Sequence, residues 1–106
     1  MWKLGAGRGN RECVLTSRPV TVINALGLHA RAAARFVQLA ARFTSQIRVA
    51  RDAKVMDGKS IMGILLLAAA RGTTITISAD GADEQAAVDA LVELVATGFG
   101  EVSWNA

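Results

Sequence analysis

The side chain with the most chemistry to offer is His29, the one histidine in the chain. It sits in Asn24-Ala-Leu-Gly-Leu-His29-Ala-Arg31, where a glycine-containing loop runs into what reads as a helix start. The first N–H groups of a helix, here those around Ala30 and Arg31, have no intrahelical acceptor. With the positive end of the helix dipole they make an anion site. Arg31 adds a fixed cation whose planar fork suits phosphate oxygens. A neutral imidazole gains nothing from such donors, and an imidazolium is disfavoured by them. A phosphorylated imidazole fits both. A ring nitrogen is then the nucleophile, and the phosphoryl oxygens meet the backbone of Ala30 and Arg31 and the Arg31 guanidinium. The alanines at 30, 32, 33 and 34 are expected to leave room for a partner's active site. A lone histidine near a helix N-terminus is also a common solvated or capping residue, and this plainer role stands beside the reactive one.

A second constellation is Lys59-Ser60-Ile61-Met62-Gly63. Ser60 is well placed as an N-cap, the usual role of a serine at such a position. The helix it opens is apolar almost all round, through Ile61, Met62, Ile64, Leu65, Leu66 and Leu67. A short helix on a small domain cannot bury every side, and exposed apolar clusters mark docking surfaces. Ile61 and Met62, in the first turn, are the candidates. Packing under the N-terminal segment or in a self-association interface is the alternative.

Other chemistries are excluded by the inventory. Cys13 is the only cysteine, so neither an internal disulfide nor a thiolate metal cluster can form. One histidine rules out a multi-histidine metal site. No metal and no cofactor is expected. The chain has 106 residues, 52% apolar and 20% charged, which is one domain with a modest core rather than a disordered chain. The net charge of +3 belongs to residues 1–18, where four bases meet one acid. Residues 19–106 carry eight bases and eight acids. All eight bases fall between Arg31 and Arg71, and six of the acids between Asp80 and Glu101. Such a dipolar surface suits steering of an acidic partner protein, and a set of unrelated solvated faces is the alternative. There is no basic-aromatic stripe, so no nucleic-acid partner is expected. No apolar run is long enough for a bilayer span, and the N-terminus has no signal-peptide pattern. A cytoplasmic protein without membrane insertion is expected.

The elements that must position these residues follow from periodicity. Residues 1–17 read as a flexible basic leader and residues 18–106 as the folded domain. A strand is predicted over residues 20–23, with Pro19 at its start. A helix follows from Ala30 to about Phe43. Arg31, Arg35, Gln38 and Arg42 form its polar stripe, and Ala33, Phe36, Val37, Ala40 and Phe43 its apolar face. Alternation predicts strands over residues 45–51 and 73–79, with a short strand over 54–56. A helix from Ile61 to about Ala70 is expected to stop at Gly72. The last helix runs to about Thr97, with Val88, Leu91 and Val95 buried and Gly98 ending it. The order βαββαβα points to an α+β fold, an antiparallel sheet covered on one face by helices.

Three segments together carry a resemblance: Gly27-Leu28-His29-Ala30-Arg31, Lys59-Ser60-Ile61-Met62-Gly63 and Ile75-Thr-Ile-Ser-Ala-Asp-Gly-Ala-Asp-Glu84. They resemble the HPr family, the histidine-containing phosphocarriers of the bacterial phosphoenolpyruvate phosphotransferase system. The likeness runs from about Pro19 to Glu101, in matching order and spacing. It implies an open-faced β-sandwich of four antiparallel strands under three helices. It implies that His29 takes a phosphoryl group on Nδ1 from Enzyme I and passes it to an EIIA-type protein, as a carrier and not an enzyme. Arg31 matches the family's phosphate-binding arginine. Ser60 matches the serine modified by HPr kinase/phosphorylase, and Ile61 and Met62 match positions on the partner-docking helix. Where the family usually has proline after His-Ala-Arg, this chain has Ala32. The Asn24-Ala-Leu-Gly start and the Gly98-Phe-Gly-Glu101 ending are closer to the nitrogen-related branch than to the sugar-transport branch. A regulatory module of the same fold, acting by docking with little phosphoryl flux, is the alternative.

Overall fold

The computed structural model describes residues 15–101, so residues 1–14, with Cys13 and most of the expected leader, and residues 102–106 lie outside the described residues. The elements are β1 (Thr16–Thr21), α1 (Ala30–Ala40), β2 (Gln46–Arg51), β3 (Lys54–Asp57), α2 (Ile61–Leu66), β4 (Thr74–Asp80) and α3 (Glu84–Ala96), followed by a 3-10 turn at Gly98–Gly100. The order βαββαβα is the one read from periodicity. All strand pairs are antiparallel, in the order β1-β4-β2-β3.

Alternation decides the two sheet faces. Ile47 and Val49 of β2 and Ile75, Ile77 and Ala79 of β4 are buried under the helices, while Gln46, Arg48 and Thr74 are exposed. α3 packs on β1 and β4, and α1 packs on α2 and α3. Phe36 of α1, Ile64 of α2, and Val88, Leu91 and Val95 of α3 meet the sheet residues in one core. This is the α+β open-faced sandwich, with a polar outer sheet face.

β1 departs from the expectation. It begins at Thr16, and Pro19 lies inside it, opposite Thr76. Residues 16 and 17 therefore belong to the folded body rather than to the leader. The apolar pattern could not reveal this, because the early half of β1 is held by polar contacts. Thr16 donates to Glu84 at 2.6 Å, the Ser78 hydroxyl donates to Ser17 at 3.1 Å, and Arg18 pairs with Asp89 at 3.1 Å. Arg18 is thus a folded, paired residue. β1 is a sheet edge, where the missing N–H of a proline is tolerated.

Two helices are shorter than predicted. α1 stops at Ala40, where the chain tightens through Arg42 N–H to Leu39 O and Phe43 N–H to Ala40 O. α2 stops at Leu66, four residues before the expected end and well ahead of Gly72. Ala68 takes the left-handed conformation there (φ 52°). Arg51 donates to the carbonyls of Leu67 and Ala68 at 2.7 and 3.0 Å, satisfying the exposed end of the helix.

Candidate functional site

The loop between β1 and α1 is built against the far end of α2. Gly27 has φ +63°, and a Cβ there would lie 2.5 Å from the Ala69 carbonyl oxygen and 2.9 Å from Ala70 Cα. Only glycine allows both the turn and the close approach. The next residue, Leu28, is buried and donates its N–H to Ala69 O at 3.0 Å. Asn24 braces the loop from inside, its Nδ2 donating to Gly27 O at 2.8 Å and to Glu101 Oε1 at 3.0 Å. Its Oδ1 is buried and has no hydrogen-bond partner among the described residues.

This loop delivers His29 to the N-cap of α1 with extended backbone (φ −74°, ψ 178°). Its carbonyl accepts the first intrahelical bond, from Ala33 N–H at 2.8 Å. Its side chain makes no capping bond. The imidazole turns instead to Glu101, with Nε2 against Oε2, both side chains about three-quarters or more buried. Burial pushes the Glu101 carboxyl up, but the hydrogen bonds from His29 and Asn24, with the charges of His29 and Arg35, outweigh it and hold the group below its ordinary value. An ionised carboxylate can only accept, so Nε2 carries the hydrogen, and whenever the ring is neutral its lone pair lies on Nδ1.

The surroundings suit an anion. The first turn of α1 holds no acidic residue, and the N–H groups of Ala30 and Arg31 precede the first intrahelical bond. Arg31 is exposed, and among the described residues its guanidinium has no hydrogen-bond or ion-pair partner. One expectation is overturned: Ala32 and Ala33 are fully buried, so they fill the core instead of clearing space. They are small because α1 packs closely there, and only Ala30 is exposed beside the histidine.

Ser60 is the N-cap of α2, its Oγ accepting Gly63 N–H at 3.0 Å. α2 buries Gly63, Ile64 and Leu67 and exposes Ile61 (45%), Met62 (64%) and Leu66 (53%). The position four residues beyond Met62 is thus part of the same bare apolar face. Leu26, in the histidine loop, is 70% exposed. Leu66 extends the apolar face of α2 beyond the two residues singled out from sequence, and Leu26 is a further exposed apolar side chain in the histidine loop.

Asn24, Arg35 and Glu101 had no site role in the sequence reading, which set Arg35 only on the polar stripe of α1 and Asn24 and Glu101 only in the two segments that resemble the nitrogen-related branch. The signal that could have found Glu101 is Gly98-Phe-Gly, two glycines bracketing an aromatic just before an acid. The three have φ 69°, 61° and 70°, a run of left-handed residues that turns the chain from α3 back to the loop. Phe99 is buried, and its carbonyl accepts from Arg35 Nη1. Among the described residues no cluster of three metal-capable side chains occurs, and no helix is long and apolar enough to cross a membrane.

Comparison with known proteins bears on the family and the fold. Residues 16–97 match the family model described as the PTS HPr component phosphorylation site. The phosphocarrier protein HPr of Cupriavidus necator is 52% identical over 87 residues, covering 82% of this chain and 98% of that protein. The HPr-like protein Crh of Halalkalibacterium halodurans is 46% identical, covering 76% of this chain and 96% of that protein. Among solved structures, HPr from Thermoanaerobacter tengcongensis superposes with a TM-score of 0.79 at 46% identity, over 82% of this chain and 98% of that one. The chain therefore belongs to the HPr family, the phosphocarriers of the phosphotransferase system, which carry a phosphoryl group and do not themselves catalyse its transfer.

Proposed function

We propose that His29 is the phosphoryl acceptor, with Nδ1 as the nucleophile. The observation that carries this reading is the bond from Nε2 to Glu101, which leaves the lone pair on Nδ1. The Nδ1 lone pair attacks the phosphorus of the donor, a nitrogen–phosphorus bond forms, and the donor's bond to phosphorus breaks with its electron pair. The Nε2 proton stays in place, and the positive charge gained by the ring faces the Glu101 carboxylate. The phosphoryl oxygens are held by the backbone of Ala30 and Arg31 and by the Arg31 guanidinium. Passage to the acceptor is the same in-line step reversed, with most of the barrier lowered by the partner.

The donor is Enzyme I, charged by phosphoenolpyruvate, and the recipient is an EIIA-type protein. Ile61 and Met62, joined by Leu66 and Leu26, form the apolar docking face. Ser60 is the site for HPr kinase/phosphorylase, and the protein works in the cytoplasm. Phosphorus NMR of the protein with phosphoenolpyruvate and a cognate Enzyme I should give a phosphoramidate signal. A full signal in His29→Ala would overturn the assignment.

A regulatory docking module is the second reading, favoured by the likeness to Crh and by alanine at position 32. Transfer rates of the native protein and Ala32→Pro separate the two. Flux near zero in both supports the regulator, and measurable flux in the native protein supports the carrier.

A further inference from the structure

We infer that Arg35 is a positioning residue for His29, acting through the Gly98–Gly100 turn to hold Glu101 against the imidazole. This rests on the reading of His29 as the acceptor.

Glu101 stands at the end of three consecutive left-handed residues. A non-glycine residue such as Phe99 is disfavoured in that conformation, so something must hold it. The Phe99 ring is fixed from one side by burial in the core. Its carbonyl is fixed from the other by Arg35 Nη1. The same guanidinium lies over Gly100, where a Cβ would stand 3.7 Å from Nη1. The Thr97 hydroxyl binds Glu93 O and Leu94 O and so closes α3, but it does not reach the turn.

Arg35 and His29 belong to one rigid unit, since His29 caps α1 and Arg35 lies within it. The path from His29 along α1 to Arg35, across to Phe99, through Gly100 to Glu101 and back to Nε2 is a closed ring. Helix geometry, together with the Asn24 bond to Glu101 Oε1 and the Glu101 N–H bond to Gly98 O, then sets where Glu101 can stand relative to the imidazole. Within a ring of this kind, a small displacement at the turn becomes a misdirected nucleophile at Nδ1. Arg35 also adds positive charge beside Glu101, which favours its ionised, accepting form. Arg31, exposed near the start of the helix, is left for the phosphoryl group, so the two arginines divide the work.

The test uses Arg35→Met, which keeps a straight side chain and good helix propensity. Imidazole nitrogen shifts, read above the imidazole titration range, report the tautomer of unphosphorylated His29. The native protein should hold the hydrogen on Nε2, and Arg35→Met should raise the minor Nδ1–H form severalfold. Arg35→Lys, which restores a donor and a charge, should recover part of the native value. Arg35→Met placed on Glu101→Gln should add nothing. In transfer from Enzyme I, Arg35→Met should lower kcat about tenfold with KM unchanged. An unchanged tautomer and kcat overturn the inference, as does a raised KM at native kcat, which would make Arg35 a docking residue. Phosphoryl uptake by His29→Ala would instead defeat the acceptor assignment while leaving the tautomer measurement meaningful.

Discussion

Glu101 accepts a hydrogen bond from Nε2 of His29, seventy-two residues earlier in the chain. The pairing gives the ring a defined tautomer before any partner arrives, and in the proposed transfer it would place a carboxylate where positive charge develops. Preorganised charge of this kind needs no rearrangement during the reaction. Glu101→Gln retains an acceptor oxygen but removes the charge. Transfer to His29 should slow about tenfold, measured by rapid-quench kinetics with Enzyme I, with little change in thermal unfolding. A native rate would show that the carboxylate does not act on the ring.

Gly27→Ala should distort the same site from the other side. The new Cβ meets backbone atoms of Ala69 and Ala70, which cannot swing away as a side chain can, and φ +63° is strained for alanine. A stability loss of about 2 kcal/mol or more is expected from urea unfolding. The amide resonances of Leu28 and His29 should move with it.

Acid stability should report Asp83. Its carboxylate accepts from the Ser45 hydroxyl at 2.5 Å and from the Thr44 and Ser45 N–H groups at 2.9 and 3.0 Å. The Ser45 hydroxyl and the Thr44 N–H hold its pKa at about 2, below the usual 3.8, against a smaller push from burial. A depressed folded pKa gives a contribution that is full above the unfolded value and is lost as pH falls through the folded one. The native protein should therefore lose stability between about pH 4 and 2. Asp83→Asn should flatten that limb of the unfolding curve.

Ser60→Asp should leave the fold intact, because aspartate caps a helix about as well as serine and the capped group, Gly63 N–H, stays in reach. It places charge beside Ile61 and Met62, so affinity for Enzyme I should drop. Equal affinity in a calorimetric titration would remove Ser60 from the control of docking. Ser60→Ala should instead cost about 1 kcal/mol of stability through loss of the cap.

Much of the fold was legible in local patterns. Ile47 and Val49, and Ile75 and Ile77, alternate with polar neighbours, and Val88, Leu91 and Val95 share one helical face, so their burial follows from period alone. The first half of β1 was not legible, because Thr16, Ser17 and Arg18 are held by hydroxyl and ion-pair contacts to α3 and β4. The end of α2 was misjudged because Ala68, not a glycine, makes the left-handed turn, supported by Arg51 from another strand.

By itself, then, the sequence determined the order of elements, the inward faces and the histidine at the start of a helix, all of which depend on neighbours a few residues apart. Only the tertiary structure decided the tautomer of that histidine. Glu101 meets it from 72 residues away, held there by Asn24 and by a turn whose Phe99 carbonyl accepts from Arg35. A hydrogen bond depends on distance and direction in space, and no local periodicity records where a carboxylate from the far end of the fold will come to rest.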